Sequence, residues 1–191
     1  MPTHLLEVGP GSYPLVDVID ERTDWEQYRE GGVYSAVQPA TYRGMHAFPE
    51  ACRTLPRVTL VESRIEHAGL PEGAYDEVYA ANVLSDPSMH LRGILSQSVR
   101  LVRPQGTITF LENITPEYGP SIDWLVEFFG DSCQLTTYVK LVTEDGGDIG
   151  YTDPTDEWIE ATRPYSSVAR RSPELRKRKV STGTFAQFQK P

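Results

Sequence analysis

Residues 4–20 read HLLEVGPGSYPLVDVID. The apolar run His4–Val8 stops at Gly9-Pro10-Gly11-Ser12, the pattern of a short buried strand ended by a glycine turn. Leu15–Ile19 reads as a second strand ending at Asp20, with only Ser12, Tyr13 and Pro14 between it and Gly11. A right-handed crossover between parallel strands needs a dozen or more residues. This reading therefore leaves no room for a first crossover helix. In a parallel sheet, ligands bind outside the carboxyl ends of the strands. Glycines there let the backbone approach a nucleotide-like ligand with no Cβ in the way. A carboxylate at the end of the next strand, Asp20 or one pleat earlier Asp17, is placed to accept from ribose hydroxyls. A lone GxG is common in strand turns; the acid-terminated second strand is what points it toward a ligand.

Outward from this stretch, a polar region with Trp25, Tyr28 and Gly31-Gly32 leads into an irregular segment to about Pro56. One short helix is expected there, near Phe48–Leu55. Arg57–Glu62 and Ala74–Asn82 read as strands. Ser88–Val102 places Leu91, Ile94, Leu95, Val99 and Val102 at spacings of three and four, an amphipathic helix stopped by Pro104-Gln105-Gly106. Thr107–Glu112 is β-branched and aromatic, a strand. Ser121–Phe129 is a second helix with Ser121 as N-cap and Gly130 at its end. Gln134–Thr143 and Gly183–Gln189 alternate as strands with no evident helix between them, which pairs them antiparallel. The sum is an α/β, Rossmann-like fold: a mostly parallel sheet, an antiparallel C-terminal strand pair, and the first crossover helix missing.

The chain has 191 residues and 39% hydrophobic residues before glycine is counted, within the size and composition of one globular domain. We read residues 1–191 as a single domain with a basic insertion at about 152–180, before the last strand. No stretch reaches the ~20 apolar residues of a membrane span, and the N-terminus lacks a signal-peptide pattern. Cys52 and Cys133 are too few for a disulfide framework or a zinc site, which points to a reducing cytoplasm and no metal. The net charge of -9 conceals an asymmetry: residues 1–162 hold 10 Lys/Arg against 26 Asp/Glu, residues 163–191 hold 8 against 1. Such a body repels a nucleic-acid backbone, although the basic segment itself could bind one, fold onto the acidic body or stay solvated. No P-loop, HExxH, C-x-x-C or G-x-S-x-G pattern occurs, so nucleotide hydrolysis, zinc proteolysis, thiol redox and serine-hydrolase readings have no support.

LLEVGPG resembles motif I of the class I S-adenosylmethionine-dependent methyltransferases, an acid followed by x-G-x-G. VTLVESRIEHAGLPEGAYDEVYAANVL resembles their third and fourth strands. HLRGILSQSVRLVRPQGTITFLEN resembles the following helix, turn and fifth strand, with Pro104-Gln105-Gly106 where Pro-Gly-Gly is usual. GTFAQFQKP is similar to the final strand. GPGSYPLVDVID is similar to a subset with a shortened connection between the first two strands. The resemblance covers roughly residues 4–143 and 181–191.

The resemblance implies S-adenosylmethionine as cofactor. It places Glu7, Gly9, Pro10 and Gly11 along the cofactor and Asp20, or Asp17, on the ribose. Glu62, Ser63, Arg64 and Ile65 fall where the family packs adenine, with Arg64 near a position that often holds an acid. Asn82 and Val83 fall where it contacts the methionine moiety. Asn82 reads equally well as a turn or helix cap, and Asp86 as an N-cap. An oxygen or nitrogen acceptor needs a general base, and Glu112, His46, His90 and Tyr118 are the candidates. A lone histidine is more often structural, and Glu112, ending the fifth strand, is best placed.

The expected activity is methyl transfer to an oxygen or nitrogen of a small molecule, sugar or peptide. Two alternatives stand beside it: a non-catalytic methyltransferase-like scaffold, and an RNA methyltransferase using residues 163–179. The expected partners are a small-molecule or peptide acceptor and a homodimer or second protein that completes the site, with no membrane.

Overall fold

A computed structural model describes residues 3–11, 14–16, 28, 30–39, 41–42, 45–46, 48, 50–86, 88–112, 119–147, 150–165 and 180–191. One seven-stranded sheet organises them. Its strands are β1 (His4–Val8), β2 (Val33–Gln38), β3 (Val58–Glu62), β4 (Tyr75–Ala81), β5 (Val102–Glu112), β6 (Gln134–Leu141) and β7 (Gly183–Gln189). They lie in the order β3-β2-β1-β4-β5-β7-β6. β1 runs parallel to β2 and β4, β2 to β3, and β4 to β5; β7 is antiparallel to both β5 and β6. The Rossmann-like α/β architecture with an antiparallel C-terminal pair is the one observed. Four α-helices are described: α1 (Glu50–Arg53), α2 (Leu91–Leu101), α3 (Ile122–Phe129) and α4 (Asp156–Thr162).

The second strand corrects the sequence reading. It is Val33–Gln38, inside the segment read as irregular, and not Leu15–Ile19. Leu15 and Val16 form a buried turn against Leu5, Tyr28 and Tyr34. Leu15 N–H finds its acceptor in Glu7 Oε2 at 2.9 Å rather than in a neighbouring strand, so an apolar run is covered without joining the ladder. The β1–β2 connection therefore spans residues 9–32, ample for a crossover. The connection is not the three-residue one expected, so a first crossover helix is not excluded, and Tyr28 within residues 9–32 has helical backbone.

Residues alternate between the two faces of the sheet, as strand geometry requires. Leu6, Val8, Val78, Ala80, Ile108 and Phe110 pack against Ile94 and Leu95 of α2 and Leu125 and Phe129 of α3. On the opposite face Leu5, Tyr34, Tyr79 and Phe185 pack against Leu15, Val16, Trp158 and Tyr165. Ser121 caps α3 as expected, its hydroxyl accepting from Trp124 N–H at 3.2 Å.

Two further corrections concern the C-terminal half. α4 lies between β6 and β7, where no helix was evident; Thr155 caps it, accepting from Trp158 N–H at 3.2 Å, and Asp156 and Glu157 sit in its first turn. β5 begins at Val102, directly after α2, so Pro104-Gln105-Gly106 is a bulge within the strand rather than a stop before it. Tyr75 pairs with Val102 but Glu77 with Thr107, and Gln105 takes φ +63° in that bulge. Tyr151–Thr152 pairs antiparallel with Val180–Ser181; residues 166–179 lie outside the described set.

Candidate functional site

Gly9 follows β1 at φ +65° and Gly11 stands at φ +64°, a backbone region that glycine enters without steric cost. A Cβ on Gly9 would lie 3.0 Å from Val83 Cγ2 and 3.4 Å from Met89 Cε. The loop is therefore pressed against the segment that leaves β4. Its other side is tied to β2: Gly11 N–H donates to Gln38 Oε1 at 2.8 Å. Gln38 is the last residue of β2 and is buried.

A cavity of about 290 Å3 opens beside this loop at the carboxyl ends of β1, β2 and β3. Val8, Val37, Ile65, Met89 and Ile94 supply apolar wall, and Gln38, Ser63, Arg64, Glu66 and His90 supply polar edges. His90 Nδ1 and Glu66 Oε1 are 3.1 Å apart across its rim. Gly93 keeps that pair in place, since a Cβ there would come within 2.4 Å of Glu66 Oε1 and 2.5 Å of His90 Nδ1. An apolar slot with a few convergent polar groups is the usual form of a small-ligand site.

Of the residues singled out from sequence, Gly9, Ser63, Arg64 and His90 line this cavity, and Val83 packs on Gly9. Gly11 meets it through Gln38, and Pro10 lies between the two glycines. Glu7 lies on the other face of β1, buried at 2% exposure, where its carboxylate accepts from Leu15 N–H and the Tyr34 hydroxyl. It shapes the β1–β2 connection instead of the cavity wall. Asp17, Asp20 and Tyr118 lie outside the described residues. The position their reading assigned to an acid, the end of the second strand, is held by Gln38. His46 is on a two-residue hairpin with Thr41–Tyr42, and its side chain lies outside the described set.

Asn82 takes φ +54° at the end of β4, a left-handed conformation that asparagine tolerates in turns. Asp86 accepts from Ser88 N–H at 2.9 Å and Ser88 Oγ at 2.7 Å, forming a turn ahead of α2, whose N-cap position is His90. Glu112 is the largest departure. Its carboxylate accepts from Val83 N–H at 3.0 Å, Leu84 N–H at 2.9 Å, Ser85 N–H at 3.3 Å and Ser85 Oγ at 3.0 Å. Burial pushes its carboxyl above the ordinary range, against the pull of those bonds. With four donors committed to it, Glu112 holds the post-β4 segment in place.

Sequence reasoning missed Gln38, Glu66 and Met89. Gln38 was legible only once VYSAVQ was read as a strand; Glu66 reaches the cavity from the single 3-10 turn Ile65–His67 and Met89 from the loop before α2, neither of which a local pattern dictates. Among the described residues, no cluster of metal-ligating side chains forms and no helix is long and apolar enough to cross a membrane.

No protein-family model matches the sequence, and neither does any curated protein. The fold does match solved structures. The N-methyltransferase NodS from Bradyrhizobium japonicum WM9, in complex with S-adenosyl-l-homocysteine, aligns with TM-score 0.56 at 10% identity over 99% of this chain and 78% of that one. A protein in complex with the Haloferax volcanii Trm112 methyltransferase activator aligns at TM-score 0.53 and 12% identity, over 99% and 82%. The arsenic(III) S-adenosylmethionine methyltransferase from Chlamydomonas reinhardtii aligns at 0.50 and 15%, over 98% and 63%. With its strand order, its reversed β7 and its glycine turn after β1, the chain has the fold of the S-adenosylmethionine-dependent methyltransferase domain.

Proposed function

We propose that the protein is an S-adenosylmethionine-dependent methyltransferase. The carrying observation is the cradle at Gly9, where positive φ and a 3.0 Å approach to Val83 leave no room for a side chain beside a 290 Å3 cavity at the carboxyl edge of the sheet. The residues present fit the cofactor. The Val37 and Ile65 walls would take the adenine, while Gln38 stands at the end of β2 to meet the ribose, in place of the acid read at Asp20. Ser63 and Arg64 would hold the adenine edge; the Gly9-Pro10-Gly11 loop and Val83 would flank the amino-acid end. Bound there, the cofactor would supply a methyl group already activated on a sulfonium. Alignment of an acceptor then supplies much of the rate.

Glu112 is a positioning residue in this reading, acting through the Val83–Ser85 segment. The N-methyltransferase and the arsenic(III) methyltransferase named above differ in acceptor, so the fold does not choose one; the acidic body disfavours nucleic acid. The Haloferax volcanii activator bound to one of the aligned proteins makes a completing partner part of the proposal, alongside a homodimer.

Calorimetric titration of the full chain with S-adenosylmethionine and S-adenosylhomocysteine tests the reading. Micromolar binding of both is expected. Gln38→Ala should weaken it roughly tenfold or more, about 1.4 kcal/mol, with folding checked by circular dichroism. Absence of binding to either ligand, alone or with a co-purifying partner, would overturn the enzyme and leave the scaffold alternative.

A further inference from the structure

β6 forms one border of the sheet: it pairs with β7 and, among the described residues, with no strand on its other side. Tyr138 pairs with Ala186 and Leu135 with Phe188, the register shifting between Gln187 and Phe188. Ala186 and Phe188 belong to the core packed under α3. The shift therefore brings Leu135 and Tyr138, three residues apart, onto the face that α3 covers. Both are nonetheless 39% exposed, and Val126 of α3 is 44% exposed. Val126 stands four residues after Ile122, which lines a cavity together with Tyr138, so it lies on the side of α3 that faces β6. Tyr151, 72% exposed, continues the same border. Gly150 O accepts from Thr182 N–H at 3.0 Å, directly beside the pairing of Gly183 with Leu141. All four exposed large apolar side chains of the described residues thus lie along one sheet edge.

Single exposed apolar side chains are ordinary, but a contiguous group of them marks an interaction surface. An edge strand adds unpaired N–H and C=O groups, a template for a further strand that monomers block with charges, prolines or bulges. β6 has the one register shift, no proline and a single charge, Lys140. That charge has a counterpart. Lys140 is the penultimate residue of β6, paired with Thr184 and therefore on the α3 face. Asp131 is exposed in the turn Gly130–Ser132, which leads from α3 into the other end of β6. One end of the edge is basic and the other acidic. A copy of the strand laid parallel would bring like ends together, whereas one laid antiparallel brings opposite ends together. Such self-complementarity is what a two-fold interface requires.

We propose that the occupant of this edge is a second copy of the chain, its β6 antiparallel to the first across a two-fold axis near Thr137 and Tyr138, so that two sheets become one. Main-chain pairing supplies the seam. Leu135, Tyr138 and Val126 of each copy pack across it, and each Lys140 lies toward the partner's Asp131. The cofactor cavity sits at the ends of β1, β2 and β3, on the far side of the sheet from β6. The dimer leaves that cavity open, and the inference stands whether or not the methyltransferase reading does. The net charge of -9 on each copy opposes association at long range. At about 150 mM salt the Debye length is about 8 Å, which screens that repulsion more than it screens close pairs at the seam.

Sedimentation velocity of the full chain at that salt, from roughly 1 to 200 μM, tests the proposal; a dimer with Kd on the order of 10 μM is expected, the weak end for a specific interface. Leu135→Ser should weaken it roughly tenfold or more, with Val126→Ser as the second probe if that variant does not fold. Lys140→Glu and Asp131→Lys should each weaken it several-fold, and the double variant, which restores opposite charges across the seam, should recover most of the loss. Near-UV circular dichroism checks folding, and all these side chains are exposed. Amide hydrogen exchange should slow in β6 as concentration rises and stay constant around Gly9. A chain that remains monomeric to about 200 μM overturns the proposal and leaves the edge to residues of the same chain or to a different protein. A dimer indifferent to these substitutions, or protected elsewhere than β6 and α3, overturns the surface. Charge reversals that weaken singly but do not recover together overturn the antiparallel two-fold.

Discussion

Glu7 and Glu112 show how position alone misassigns a carboxylate. Glu7 stands one residue before the end of β1 and Glu112 ends β5, yet each is spent on backbone N–H groups of its own chain. Burying an ion without such donors is prohibitively costly, so the donors are what permit acids at these positions. Tyr34 gives Glu7 a further donor; burial and the neighbouring carboxylate push its phenol well above the usual range, which keeps the proton on it. Tyr34→Phe removes a hydrogen bond to a buried charged group, and an expected loss of about 2 kcal/mol in urea unfolding follows. An unchanged midpoint would show that Glu7's other contacts carry it.

At the scale of elements, β5 illustrates a local choice against preference. Gln105 sits at φ +63° within the bulge, and its N–H donates to Lys190 O at 2.9 Å, joining the strand to the C-terminus. The left-handed conformation costs a non-glycine residue roughly 1–2 kcal/mol, partly returned by the lower entropy of its unfolded chain. Gln105→Gly should therefore raise stability by about 0.5–1 kcal/mol and the Tm by roughly 1–4 °C, read by thermal denaturation. Gly106 has no such freedom, because a Cβ there would fall 2.7 Å from Asp76 O. α2 was legible from its three-and-four spacing and α3 from its Ser121 cap and the Gly130 at its end. α4 was not: its apolar content is confined to Trp158, Ile159 and Ala161, and only the Thr155 cap and the two acids after it mark its start.

At the scale of the whole molecule, a buried network joins distant segments. Glu77 of β4 accepts from Thr109 Oγ1 of β5 at 2.6 Å and from the Tyr165 hydroxyl; Gln187 of β7 donates to both hydroxyl oxygens. Tyr165 is stacked on Tyr79 at 4.6 Å and ends the turn Arg163–Tyr165, so the network anchors that turn to the sheet. Burial raises the Glu77 carboxyl above its ordinary value despite these bonds. The folded state thus holds a proton that the unfolded chain releases, and stability falls as pH rises from the unfolded value through the raised one. Glu77→Gln should flatten that part of the profile, measured by urea unfolding from about pH 4 to 8. A slope identical to wild type would assign the dependence to Glu112, which shares the same direction of shift.

The sequence by itself determined the strands and helices whose apolar spacing is local: β1, β3 to β7, α2 and α3, together with the glycine loop at the carboxyl edge. It also carried enough of an ordered set of motifs to reach the fold. Only the tertiary structure decided which apolar run became the second strand. Leu15–Val16 and Val33–Val37 are both apolar and short, and the choice rests on partners far away in the chain: Glu7 takes the N–H of Leu15, while β1 and β3 take up the two edges of Val33–Gln38. With that choice went the site, because the residue at the end of β2 is Gln38 and not Asp20. Whether Glu112 was a base or a tether was equally beyond local reading, since its four donors come from a loop that only the parallel pairing of β4 with β5 brings alongside.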